Sequence, residues 1–333
     1  MDKDTYQSFE HQIEPIKTEL DESLKKVEQD YQELFNQAQG TRPRILFHYT
    51  NGTGLQGILE SNRVWATHAQ FLNDSTELVY AYDFIKAAVE QQIGEQAPAA
   101  INELGRQIST LLDPLYLHEF LTAYMACFCE EGDLLSQWRG YGGGGVGGYA
   151  LGLDGRQIGS QSGVRTPEQN LELFRVIYDQ SVQETMIDSI VSRTFDVLRS
   201  IEEKHGSNAA WAAMFVCTTF VQRQLATCLI CFKSPAFSEE KEWRVVHVES
   251  RDRPSNVAEV KFRTTATNII PYIELDLSPQ AGPFHNRVPL TRVVYGPSPH
   301  PDLLRSSLVM MLRRYSYRWP LTEVEGSTIP LRA

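Results

Sequence analysis

Lys233-Ser-Pro-Ala-Phe-Ser-Glu-Glu-Lys-Glu-Trp-Arg-Val-Val246 is the stretch from which the fold is read. Pro235 blocks continuation of a preceding helix, while Trp243, Val245 and Val246 suit a pleated, half-buried surface, so loop should become strand at Glu242. Glu239, Glu240 and Glu242 put three carboxylates close together, and Arg244, two residues past Glu242, shares its strand face. Such a group is either a solvated turn whose acids cluster or the rim of a cleft that holds one carboxylate in place.

Upstream, residues from Pro167 to Phe232 carry a helical pattern broken at His205-Gly206, which gives two long helices. Downstream the chain is β-rich at about 242–249, 257–262, 271–277 and 290–295. Gly296-Pro-Ser-Pro-His-Pro301 is a rigid turn, followed by a helix over 302–314 and a last strand at 321–324. Toward the N-terminus, Ile45-Leu-Phe-His-Tyr-Thr50 reads as a strand and Asn51-Gly-Thr-Gly54 as a turn. A short helix, an extended run at 64–67, and helices over 75–93 and 98–112 come next, the first begun by a capping-box-like Asp74 and Glu77 beside Asn73. A buried strand at 122–129, a helical turn over 134–141, the run Gly142-Gly-Gly-Gly-Val-Gly-Gly148 and a strand at 149–153 complete the chain.

The fold class is therefore α+β, with mixed, mostly antiparallel sheets in a single domain over 41–333 and a helical insertion at about 167–232. Residues 1–40 form an amphipathic extension. In it, Tyr6, Phe9, Ile13, Ile16, Leu20, Leu24, Val27, Tyr31 and Leu34 recur every three or four positions. That stripe over 3–38 fits either a homodimeric coiled-coil seam or a face laid on the chain's own body.

Lys and Arg total 31 against 42 Asp and Glu, a net charge of −11 that speaks against broad phosphate-backbone binding as the main activity. The exception is local: residues 285–318 hold six Arg and only Asp302. No run approaches the eighteen or so apolar residues of a membrane span, and the N-terminus lacks a basic and then apolar leader, so the expected setting is cytoplasmic with no membrane partner. Five cysteines in apolar surroundings fit reduced, buried thiols. Neither Cys127-x-Cys129 nor Cys228-x-x-Cys231 sits in a zinc knuckle, no His cluster is present and the acids are scattered, so no metal is expected.

His48 and Thr50 share a strand face just before a turn and together offer two hydrogen-bonding side chains of the kind that grip a ribose; His48 is equally suited to a core or rim position. Trp138 and Tyr141, three apart on a helical turn, form either an aromatic shelf for a planar ring or part of the core. Arg63, Arg139 and Arg244 are candidate anion partners or surface ion pairs. The glycines at 143, 145 and 148 satisfy a G-x-G-x-x-G string, but they precede a strand instead of opening a helix, which fits a mobile loop, or a close backbone approach to a ligand, better than a dinucleotide loop.

His48-Tyr-Thr50, Leu72-Asn-Asp-x-x-Glu77, Cys127-Phe with Ser136-Gln-Trp-x-x-Tyr141, and Phe237-x-x-Glu-x-Glu-Trp-Arg244 together resemble a bacterial family known as domain of unknown function twenty-nine seventy-one, over roughly 45–330. More distantly, the order His48 with Thr50, then Tyr141 or Tyr149, then Glu242 is similar to ADP-ribosyltransferases, in particular DNA-modifying toxins and RNA 2′-phosphotransferases. Glu240-Lys-Glu242 resembles the Glu-x-Glu pair of the arginine-modifying branch. The resemblance implies an ADP-ribosyltransferase-like core using NAD as substrate, with Glu242 and Glu240 catalytic and with His48, Thr50, Arg63, Trp138, Tyr141 and Arg244 around the dinucleotide. It also implies an unknown protein or nucleic-acid acceptor and a role as a toxin or phage-defence effector. The chemistry is sound in itself: a fixed carboxylate stabilises the oxocarbenium ion that develops as the nicotinamide bond breaks. The alternative is a non-catalytic nucleotide-binding or protein-interaction module.

Overall fold

The computed structural model describes residues 13–72, 77–112, 122–141, 147–158, 171–248, 259–264, 268–279, 282–317 and 321–330. The protein is α+β, and its chain divides into two compact units. One unit takes 1–40, 74–121 and 177–235; the other takes 41–73, 122–176 and 236–333. The N-terminal extension and the insertion thus join a third stretch, 74–121, in one helical body, an association that a single-domain reading of 41–333 does not contain.

In the helical unit, α1 is Lys17–Gln39, α3 Glu77–Glu90, α4 Ala99–Leu112, α6 Gln180–His205 and α7 Ser207–Cys231. The α1 stripe of Leu20, Leu24, Val27, Tyr31 and Phe35 is buried, and α1 packs on α6 and α7. The seam open to a second copy in the sequence is therefore used within the chain. Helix α7 is apolar on nearly all sides, the pattern of a helix surrounded by others. Ala213, Cys217, Val221, Leu225 and Cys228 are buried along it. By length and mean hydropathy α7 is long and apolar enough to cross a membrane, although its apolar residues are interrupted by Thr218, Thr219, Gln222, Arg223 and Gln224, and most of its apolar side chains are buried within its unit. Asp179 caps α6 by accepting from the Val182 amide, and Gly206 at φ 81° makes the break before α7.

The second unit is built on one sheet: β1 Ile45–Thr50, β2 Val64–His68, β3 Ala123–Cys129, β4 Tyr149–Asp154, β5 Leu171–Arg175, β6 Glu242–Val248, β7 Lys261–Thr264, β8 Ile269–Leu275, β9 Leu290–Tyr295 and β10 Glu323–Gly326. Helices α2 Gly52–Ser61, α5 Leu135–Tyr141 and α8 Pro301–Arg314 accompany it. Strand β5 falls inside the stretch read as helical from Pro167; pairing along β6 makes Leu171–Arg175 a strand. All strand pairs are antiparallel except β9 with β10.

The order is β10-β9-β4-β1-β3-β2-β8-β7, with β6 and β5 added through β3. Because β6 pairs with β3 from Ala123 to Cys129, it occupies one whole edge of that strand. The other edge is shared: Phe47 of β1 pairs with Cys129, whereas Thr67 and His68 of β2 pair with Met125 and Tyr124. The sheet consequently forks, with β1 and β2 leaving the same edge of β3. Residues directly opposite in an antiparallel pair point to the same side, so the register sorts the side chains. Leu46, Phe128, Leu151 and Trp243 lie in the larger core on one face; Phe47, Tyr49, Cys129 and Trp138 lie in a second core on the other.

At its described end the Gly run lies against the chain's own backbone, a contact that bears on neither a mobile loop nor an approach to a ligand. A Cβ on Gly296 would stand 2.3 Å from the Gly147 carbonyl oxygen, and the Gly296 amide donates to the Gly148 carbonyl at 3.0 Å. Asn73, Asp74 and the capping-box side chain of Glu77 lie outside the described residues.

Candidate functional site

Glu242 is the first residue of β6, as the Lys233 to Val246 stretch implies. The chain enters it from a tight helical turn, Pro235–Glu240, through Lys241 at φ 42°, a left-handed conformation that a non-glycine residue seldom adopts. Lys241 is held there by its own ion pair with Glu131 at 2.9 Å.

Both oxygens of the buried Glu242 are engaged by Arg244, whose Nε donates at 2.8 Å and Nη2 at 3.0 Å. The two side chains are 7% and 1% exposed, so this is a bidentate ion pair inside the protein. Glu240, half-buried at the end of the turn, adds its charge near Cys129. Burial first, and then the acids Glu131, Glu130 and Glu240, push the Cys129 thiol up to about 12. The neighbouring Trp243 Nε1 donates to Glu130 at 2.9 Å.

His48 stands at the fork. The Cys127 carbonyl lies between the β1 pair at Cys129 and the β2 pair at Met125, and His48 Nδ1 meets it at 2.9 Å. A carbonyl only accepts, so Nδ1 carries the hydrogen and Nε2 of the neutral ring is left as an acceptor. Burial lowers the His48 pKa, opposed by the bond to Cys127, with the charge of Arg263 lowering it further. The ring also packs on Phe128 with centroids 5.5 Å apart.

Arg263, which the sequence reading did not single out, belongs to this neighbourhood. Its Nη2 donates to Thr67 Oγ1 at 2.8 Å, and its guanidinium carbon stands 6.0 Å from the Tyr272 ring centre. Tyr141, exposed at the end of α5, acts on the Arg263 charge. Register places Thr67, Met125, Cys127, Arg244 and Glu242 on one side of the sheet, with Tyr272 and Arg263 continuing it through β8 and β7.

The other expected site residues divide. His48 and Thr50 alternate onto the opposite side from Glu242, and the Thr50 hydroxyl is turned to the first turn of α2, 2.0 Å from where a Cβ on Gly54 would be. The fork, not a common face, brings His48 toward Arg263. Trp138 is not a shelf: it is fully buried, stacks edge-on to Tyr49 at 4.9 Å and donates Nε1 to Asp133 at 2.8 Å. Arg63 pairs with Asp276 at 2.9 Å. It precedes β2, whereas Thr67 is near that strand's other end, about 13 Å away at the usual rise per residue. Tyr149 is half-buried against the larger core. Among the described residues no three His, Cys, Asp or Glu side chains converge as a metal site would require.

The strand-built unit thus defines a class: a forked antiparallel sheet with a polar, arginine-bearing face beside the fork. Residues 137–245 match the model of a family described as protein of unknown function (DUF2971). The match contains Trp138, Tyr141, Glu240, Glu242 and Arg244, and it is narrower than the span of 45–330 over which the motifs run. No curated protein and no solved structure matches the chain significantly.

Proposed function

We propose that the strand-built unit binds a nucleotide at the sheet fork, with NAD as the dinucleotide, and that it transfers ADP-ribose to a protein or nucleic-acid acceptor. The observation that carries this reading is the meeting of a donor-fixed imidazole, an arginine and an exposed tyrosine at the fork of β3, while the buried Glu242–Arg244 pair on β6 lies on the opposite side of the sheet from His48. In it, His48 Nε2 accepts from a ribose hydroxyl, Tyr141 lies against the nicotinamide, and Glu242 stabilises the positive sugar in the transition state. Glu240 deprotonates or orients the acceptor. Action as a toxin or phage-defence effector follows from the resemblance to ADP-ribosyltransferases, and a cytoplasmic setting from the composition.

Catalysis requires Arg244 to release one oxygen of Glu242 or to act with it as a unit. The bidentate pair favours a second reading, in which the unit binds nucleotide without turnover and Glu242 serves the fold. Nicotinamide release from NAD separates the two. Transfer predicts release by the full chain, lost in Glu242→Gln while NAD still raises the melting temperature of the variant. A thermal shift without release supports the binding module. Neither shift nor release refutes the NAD site.

A further inference from the structure

We infer that Arg263 is the phosphate-recognising residue of the fork, and that its ligand is a phosphate- or pyrophosphate-bearing small molecule; this rests on the nucleotide-binding reading above. The argument starts from the cations around it. On the same face of β7, Lys261 pairs with Glu274 of β8 at 3.0 Å, and Arg63 before β2 pairs with Asp276 at 2.9 Å. On β6, Arg244 is neutralised by Glu242. Arg263, half-buried opposite Ile270 on the same face, meets no carboxylate among the described residues: its partners are the Thr67 hydroxyl and the face of Tyr272.

A hydroxyl and a ring fix the direction of a guanidinium without satisfying its charge. Thr67 takes one of five N–H donors, and the guanidinium carbon stands over the Tyr272 ring, which accepts no N–H hydrogen bond from it, so the remaining donors keep the fork geometry suited to a tetrahedral anion. Burial holds the Arg263 pKa below the usual guanidinium value, with the phenols of Tyr272 and Tyr141 raising it, as expected of a cation that lacks a carboxylate. The setting makes an anion site selective: a chain of net charge −11 repels free phosphate in general, so phosphate would be drawn only to a local uncompensated cation. Tyr272 is buried against Trp65 beneath that cation, whereas Tyr141, near enough to act on its charge and exposed, supplies a surface for a ring carried on the same molecule.

The experiment measures binding of inorganic pyrophosphate, ADP and adenosine by calorimetric titration to the full chain and to Arg263→Gln, Arg263→Lys and Thr67→Val. Melting temperatures of the unliganded variants verify folding. The expected result is that pyrophosphate and ADP bind, more weakly as salt rises, and that Arg263→Gln loses about tenfold to a hundredfold in affinity for both but not for adenosine. Arg263→Lys and Thr67→Val lose less, because charge or donor remains but its aim is relaxed. ADP binding unchanged in a folded Arg263→Gln overturns the assignment while leaving the nucleotide reading intact. Pyrophosphate binding that depends on Arg263, without any nucleotide binding, supports the anion site and defeats the nucleotide reading. No binding of any of the three overturns both.

Discussion

Replacing Arg244 by Met tests whether the Glu242 carboxylate is held inside the protein or within reach of a ligand. The side chains of the pair are 1% and 7% exposed and share two bonds of 2.8 and 3.0 Å. An ion pair in water contributes about 0–1 kcal/mol, whereas taking one partner from a buried pair costs about 3–5 kcal/mol because a charge is left without its counter-ion. At about 2–4 °C per kcal/mol for a unit of 150–250 residues, Arg244→Met should melt about 6–20 °C below the parent. Glu242→Leu with Arg244→Met should regain most of that loss, since the site then holds two apolar side chains of similar length and no charge. Calorimetry and urea titration at pH 7 measure both. A loss below about 1 kcal/mol for Arg244→Met would refute the buried pair. It would mean that water, and therefore substrate, already reaches Glu242.

Asp133 should govern an acid-sensitive contact. Burial raises its carboxyl, but the Ser327 hydroxyl, the Thr328 amide and hydroxyl, and Trp138 Nε1 together outweigh burial and hold it below the usual range. Its stabilisation is then complete above an unfolded pKa of about 3.9 and lost as pH falls through the lower folded value, so Asp133→Asn should flatten this limb of the stability curve in urea melts. Burial instead keeps His48 neutral, so the folded state loses stability as pH falls below about 6.5, and His48→Gln should remove that part of the dependence. Gly296→Ala should cost about 1–3 kcal/mol, because its methyl would meet the Gly147 carbonyl oxygen at 2.3 Å, a backbone atom that cannot turn aside. Leu24→Asp empties a buried site of α1 and should cost the helical unit at least about 2–5 kcal/mol, equally at all protein concentrations. A melting point restored by raising concentration would show instead that the stripe joins two copies.

What could be read from the residues is what their near neighbours decide. The start of β6 at Glu242, its shared face with Arg244 and the break at Gly206 follow from alternation, Pro235 and a glycine, all within a few positions. Leu171–Arg175 escaped because Leu, Glu, Phe and Arg are acceptable in a helix, and only the edge of β6 makes them a strand. For Arg63 and Trp138 the sequence left a ligand role and a structural one both open, and for one reason: an arginine's partner and an indole's burial are set by Asp276 and by Tyr49 with Asp133, each placed by tertiary structure. Arg263 was passed over because it is distinguished by meeting no acid among the described residues, and its hydroxyl partner lies 196 residues away in sequence.

The fork also explains why one histidine can serve both fold and ligand. When β1 leaves β3 after Phe47 and β2 joins only at Thr67, the edge between them pairs with no strand among the described residues, and a buried backbone acceptor left open there would be costly. His48 meets the Cys127 carbonyl with Nδ1, which fixes the ring and its tautomer in one step. The fold thereby dictates that the opposite nitrogen is an acceptor. Arg263 is all donor and stands close enough to lower the His48 pKa, so the fork carries a neutral acceptor and, near it, a cation that meets no carboxylate among the described residues. A ligand that satisfies both must offer a hydroxyl and an anion a short distance apart. A ribose phosphate does so, and that chemistry, more than the acid at Glu242, sets what this fork should be asked to bind.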